Sequence, residues 1–176
     1  PKWTLTPGVR VDHHSAFGTH TSPHVSLGYD VNERTNVYVA YNEYFLAPTP
    51  YQLFDGYNGN RNLKPESGRE WDLGVHHKFG RTWNGNLNFF TRRTKDKIGW
   101  VMTDPATFTG QYRNFDTERA HGVSVDLRKQ LTNHLSARVG YTYTHIDATP
   151  TRRANVDGYV PKHAVNAGLD YNDAKW

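Results

Sequence analysis

The sequence has no cysteine at all and a single methionine among its 176 residues. Without thiols there is no disulfide scaffold, no thiolate metal site and no cysteine nucleophile. No apolar run approaches the roughly 20 residues of a membrane-spanning helix, and nothing has the order of charged, apolar and small residues that marks a signal peptide. A strong charge of one sign is missing too. The net charge is +4, and the Lys and Arg residues are scattered along the chain, whereas a nucleic-acid surface gathers them on one face; no nucleic-acid partner is expected. These gaps leave a membrane open as a partner, because a barrel strand crosses with about 10 alternating residues and leaves a faint hydropathy signal.

What is present is aromatic and alternating. The mean hydropathy is −0.82 and hydrophobic residues make up 36%, yet aromatics reach 14%, too many for a disordered chain. The length suggests one domain or a piece of a larger one. In residues 67–79, Trp71, Leu73 and Val75 share one parity while Glu70, Asp72 and Gly74 share the other. The same pattern recurs at Leu5–Val9–Val11, Val25–Leu27–Tyr29–Val31, Val37–Val39–Tyr41, Leu87–Phe89, Val123–Val125–Leu127, Leu135–Ala137–Val139–Tyr141–Tyr143 and Val165–Ala167–Leu169–Tyr171. This predicts about eight strands of period 2. The fold class is therefore all-β, with antiparallel up-and-down strands joined by turns. One helical exception is expected: Thr49 as cap, Pro50 at the first position and a short turn through Leu53 and Phe54.

A sandwich also alternates, but two features favour a wall of a larger transmembrane β-barrel. The polar face carries Gly, Ser, Thr, Asn, Asp and Arg rather than long Lys and Glu, and the apolar face carries aromatics toward strand ends, as in a barrel with an apolar outer band and aromatic girdles. Short connections are expected at 30–35, 80–85 and 129–134, and long ones at 13–20, 43–66, 96–111 and 147–161, so that every second connection is long. A barrel with short inner turns and long outer loops has that regularity. Trp71, Leu73 and Val75 then face lipid, and Glu70 and Asp72 a polar interior. Pro65, which cannot donate to a ladder, marks the entry to that strand.

The stretches "YVAYNEYFLAPTPYQLF" (38–54) and "GNRNLKPESGREWDLGV" (59–75) resemble the C-terminal barrel of TonB-dependent outer-membrane receptors. Those receptors have an aromatic strand, a Phe-Arg-Ala-Pro-Thr box, an Asn-Pro-Asn-Leu-Lys-Pro-Glu box and a Trp-Glu-Leu-Gly strand. "YRNFDTERAHGVSVDL" (112–127), "YTYTHIDA" (141–148) and "GYVPKHAVNAGLDY" (158–171) are similar to the family's later hairpins. The resemblance implies that 1–176 is part of the receptor's barrel domain, without its plug domain and TonB box. Trp176, after a stretch that reads as a turn, does not close a last strand. It further implies a bacterial outer-membrane location, lipid around the wall, a link to the TonB system through the plug, and no enzymatic activity. A glycosidase would need a carboxylate pair; Glu70 and Asp72 share a face, but no third element joins them.

The resemblance leaves a ferric siderophore, haem or cobalamin as ligand, and the residues favour the first. Haem receptors of this kind usually carry a His between the two boxes, and the interval 49–59 has none. It offers aromatics instead, with Tyr44, Phe45, Tyr51, Phe54 and Tyr57 near Arg61 as candidate ligand-binding residues. Aromatic faces and a planar cation suit a bulky anionic iron chelate or similar small metal complex. Further outer cations are Lys95, Lys97, Arg113, Arg152 and Arg153. His13, His14 and His20 are the secondary metal candidates, although adjacent His13 and His14 point to opposite faces of a strand. No cofactor is expected. The competing class is a soluble β-sandwich adhesin or carbohydrate-binding module, favoured by low hydropathy and loop aromatics.

Overall fold

The computed structural model describes residues 2–147 and 160–173, apart from the side chain of Asp116. Its strands are β1 (Trp3–His14), β2 (Gly18–Asn32), β3 (Thr35–Leu46), β4 (Glu66–Phe79), β5 (Trp83–Asp104), β6 (Thr109–Gln130), β7 (Leu135–Asp147) and β8 (His163–Tyr171), with one helical turn, α1 (Pro50–Phe54). The eight strands form one sheet in sequence order, and every neighbouring pair is antiparallel. Among the described residues no helix is long and apolar enough to cross a membrane, so any crossing is by strands.

The expected faces are observed. Leu5, Val11, Leu27, Trp71, Leu73, Phe89, Val165 and Leu169 all stand exposed, which in water would be a sheet without a core. The opposite face binds to itself. Tyr38 reaches past β4 to donate to Asn88, and Asn88 donates to Asp72. Such long side chains fit because glycines lie under them: a Cβ at Gly74 would meet the Tyr38 ring at 2.1 Å, and one at Gly68 the Tyr44 ring at 2.3 Å. An apolar outside and a hydrogen-bonded inside is the arrangement of a membrane barrel wall. In β4, about ten residues separate Arg69 from Phe79, the length a tilted strand needs to cross hydrocarbon.

The connections correct the expected rhythm. The inner turns are short, as expected. The 13–20 connection, however, is only a three-residue turn at 15–17, and the 96–111 connection shrinks to 105–108 because β5 and β6 run on. In β5 the apolar residues Ile98, Trp100 and Met102 fall on the parity opposite to Leu87 and Phe89, so the apolar stripe is not continued, yet the ladder runs on as far as Asp104↔Thr109. Strand β3 likewise continues to Leu46, which places Tyr44 and Phe45 on a strand rather than in the loop. Only the connection from 47 to 65 is long among the described residues. The 147–161 connection and Trp176 fall almost wholly outside them.

Candidate functional site

The long connection is built on its own small core. Thr49 caps α1 with both halves of a capping box, its hydroxyl accepting from the Gln52 N–H at 3.2 Å and the Gln52 side chain accepting from the Thr49 N–H at 2.9 Å. Pro50 opens the helix, as expected. One turn of helix sends Leu53 down and Tyr51 and Phe54 outward. Leu53 packs with Leu63 and Ile98, and Phe17 and Tyr112 close around them. The loop thus grips the β1–β2 tip and the β5–β6 hairpin together.

Polar contacts fix the grip. The Tyr112 N–H donates to the Asn58 carbonyl at 2.9 Å, and the Tyr112 carbonyl accepts from Asn60 Nδ2 at 2.9 Å. Both groups of an antiparallel residue point to the same side, and β7 pairs only with 119–130 of β6. The loop therefore stands in for a missing strand at Tyr112. The Trp100 indole donates to Asn58 Oδ1 at 3.0 Å, and the Lys64 N–H to Asn114 Oδ1 at 2.8 Å. Where β4–β5 pairing ends at Ser67↔Lys95, the buried Glu66 side chain extends it. Its carboxylate accepts the Ile98 N–H at 2.8 Å and pairs with Lys97 at 3.4 Å.

Four of the six candidate ligand residues form an exposed surface on this anchored loop. Tyr51 is 57% exposed, Phe54 61% and Tyr57 93%. The Arg61 guanidinium lies over the Phe54 ring, 5.5 Å from its centroid, and Tyr51 meets Tyr112 edge-on at 6.1 Å. Tyr44 and Phe45 are engaged in the wall. The Tyr44 hydroxyl hydrogen-bonds the Thr94 hydroxyl, and Phe45 stacks on His20 at 4.0 Å. Tyr112 and Asn114 escaped sequence reading as site residues because the top of β6 resembles a loop, and Asn58 and Asn60 because their partner Tyr112 is distant in sequence.

The histidines do not converge. His13 bonds Thr19 across the hairpin and His14 accepts from the Ala16 N–H. Among the described residues no group of three or more His, Asp or Glu side chains is placed to hold a metal. Arg152 and Arg153 lie outside the described residues.

Asp55 closes α1 and makes the loop sensitive to acid. It accepts from the Asn58 N–H at 2.8 Å and the Tyr57 N–H at 3.3 Å. These backbone donors, Asn58 first, hold its carboxyl below the ordinary value of 3.8. A depressed carboxylate stabilises the fold fully above its ordinary value and loses that contribution as pH falls through the lower, folded one. Amide exchange at Tyr57 and Asn58, corrected for intrinsic rate, is expected to be flat from neutrality to about pH 4 and to rise below. Asp55→Asn should remove that acid dependence; an unchanged profile would assign it to another carboxylate.

Comparison with known proteins places the whole chain, residues 1–176, in the family described as TonB dependent receptor-like, beta-barrel. The ferric-pyoverdine M114 receptor PbuA of Pseudomonas sp. (strain M114) is 27% identical over 172 residues, covering 94% of this chain and 20% of that protein. The vitamin B12 transporter BtuB of Vibrio cholerae is 29% identical over 139 residues, covering 72% of this chain and 22% of that protein. The siderophore receptor PirA from Pseudomonas aeruginosa superposes with a TM-score of 0.74 at 26% identity, over 99% of this chain and 32% of that structure. The chain thus spans between a fifth and a third of the length of these relatives.

Proposed function

The chain belongs to the TonB-dependent receptor β-barrel family of the bacterial outer membrane, and on that premise we propose that it forms part of the wall and outer mouth of a receptor importing a ferric siderophore. In this reading the plug and the TonB-coupling element belong to the whole receptor, and energy from TonB drives uptake. The family is one of transporters and receptors, so no chemistry is asked of Glu70 or Asp72.

The observation that carries the ligand class is the anchored surface of Tyr51, Phe54 and Tyr57 with Arg61 against Phe54. Iron chelates of this kind are broad, ringed and often anionic. Aromatic faces stack on such a periphery, and a guanidinium supplies fixed charge with planar hydrogen bonds. The rigid mounting matters as much as the chemistry, because a loop already ordered loses less entropy on binding. The names of two relatives point the same way, to ferric pyoverdine and to a siderophore. The similarity to a vitamin B12 transporter makes a corrinoid the competitor to test.

In the whole receptor, Tyr51→Ala, Phe54→Ala and Tyr57→Ala are each expected to weaken binding of a ferric siderophore by up to about tenfold. Heat-modifiable migration on a gel should remain normal. Undiminished binding in all three variants would make the loop a structural cover, and tight binding of cyanocobalamin by the parent receptor would replace the siderophore.

A further inference from the structure

The 47–65 loop carries a chemically reactive pair. An Asn followed by Gly is the least obstructed case for attack of a main-chain nitrogen on a side-chain amide, because the second residue has no side chain to shield that nitrogen. The chain has two such pairs, Asn58-Gly59 and Asn84-Gly85. Asn84-Gly85 lies inside the sheet, with β4 on one side and β6 on the other. Asn58-Gly59 lies in the long connection, outside every strand.

The fold requires both members of the loop pair. A Cβ at 59 would stand 2.5 Å from the Asp55 carbonyl oxygen and 2.6 Å from the Asp55 nitrogen, so only glycine fits. Position 58 needs a group that donates at one end and accepts at the other. Asn58 Nδ2 donates to Asp55 Oδ2 at 3.1 Å, and Asn58 Oδ1 accepts from the Trp100 indole at 3.0 Å. The same contacts hold the pair unreactive. The Gly59 nitrogen must give up its proton before it attacks, and that N–H is engaged by the Asp55 carbonyl at 3.0 Å. The Asn58 side-chain amide, tied at both ends, cannot swing toward Gly59. The Asn58 carbonyl is fixed as well, by the Tyr112 N–H at 2.9 Å. The Trp100 and Tyr112 bonds come from the β5–β6 hairpin, so the restraint weakens when the loop lifts from it.

We propose that Asn58-Gly59 is a self-modification site masked by the seated loop, and that its conversion unseats the loop for good. In the lifted loop the Gly59 nitrogen attacks the carbon of the Asn58 side-chain amide. The bond from that carbon to Nδ2 breaks, and ammonia leaves carrying the proton that Gly59 gave up. Water then opens the cyclic imide at either carbonyl, which leaves an aspartate or an isoaspartate; no electrons are exchanged. Either product spoils the seat. A carboxylate at 58 has no proton to offer Asp55 and repels it across the former 3.1 Å contact. An isoaspartate also adds a carbon to the main chain and displaces the carbonyl that Tyr112 holds. The site rests on the loop's own hydrogen bonds and not on what the loop binds.

The test uses the full-length receptor, folded in detergent and held in mildly alkaline buffer, which favours loss of the Gly59 proton. Peptide mass spectrometry counts conversion at 58 and at 84 as amide exchanged for carboxyl. The parent is expected to convert at 58 at least about tenfold more slowly than a free peptide of residues 55–61. Glu66→Ala, which loosens the loop without touching Asn58, should convert about tenfold faster than the parent. Trp100→Phe keeps a ring over Gly110 and removes the indole donor, and should convert several-fold faster; if Glu66→Ala assembles poorly, this variant decides. Asn84 should stay intact throughout. Asn58→Asp, the ready-made product, should be cut within 47–65 at least about tenfold faster than the parent, with heat-modifiable migration unchanged. Four results would each overturn the proposal: conversion of the parent at the peptide's rate, parental conversion rates in the loosened variants, conversion at 84 alongside 58, or parental proteolysis of Asn58→Asp. Ferric siderophore binding is not among the readouts, so the ligand reading stands or falls separately.

Discussion

Gly122→Val should abolish assembly of the receptor into its heat-modifiable form. A Cβ at this position would stand 2.0 Å from the Tyr143 carbonyl oxygen and 2.6 Å from the Phe90 ring. The ring could swing away, but the carbonyl belongs to the backbone of β7. Relief requires the β6–β7 ladder to open around Gly122↔Thr144. Overpacking of this kind costs about 1–3 kcal/mol when side chains absorb it, and more where ladder hydrogen bonds must break. Gly28→Ala is the control. Its added Cβ would meet its nearest neighbour, Asn36, at 3.7 Å, an ordinary contact, so assembly should be untouched. Equal yields of folded receptor from the two variants would show that β6 and β7 part more easily here than their register suggests.

Glu66→Ala should release the ligand loop while leaving the barrel standing. The substitution strands the Ile98 N–H in a buried place and removes the partner of Lys97. An unsatisfied buried donor costs about 1–3 kcal/mol, more when charge is involved. That is comparable to what burial of any one of Leu53, Leu63 and Ile98 contributes, about 1.5–3 kcal/mol. Limited proteolysis should then cut within 47–65 at least tenfold faster, with ferric siderophore affinity falling in step. Glu66→Gln keeps an acceptor for Ile98 and loses only the ion pair, so it should lie between the two. Proteolysis at the parental rate in the alanine variant would leave Asn58, Asn60 and Asn114 as a sufficient anchor.

These two sites show what the sequence conveyed and what it did not. Alternation revealed the wall and both its faces because hydrocarbon enforces the contrast between Leu73 and Asp72. Thr49 and Pro50 announced α1 because a cap and a fixed φ are local chemistry. The upper halves of β5 and β6 gave no such signal. From Lys95 outward there is no lipid to enforce one apolar face, Ile98 turns instead under the 47–65 loop, and a ladder that is regular in space reads as a loop. Phe90 is the reverse case, an aromatic on the polar face that is accommodated only because Gly122 lies opposite. Arg69, Arg93 and Arg119 were invisible as neighbours for another reason: they are far apart in sequence, and only the strand register sets them directly opposite one another.

The strand order has a consequence for how the wall is made. Each ladder joins neighbours in sequence, so the sheet can be laid down one hairpin at a time, and even the long 47–65 connection adds only a modest closure entropy. The contacts of the 47–65 loop break that rule. Asn58, Asn60 and Lys64 must wait for Tyr112 and Asn114 to be delivered by β6. The loop can take its seat only where β6 stands in the wall, so the outer mouth acquires its shape from pairing well beyond its own hairpin.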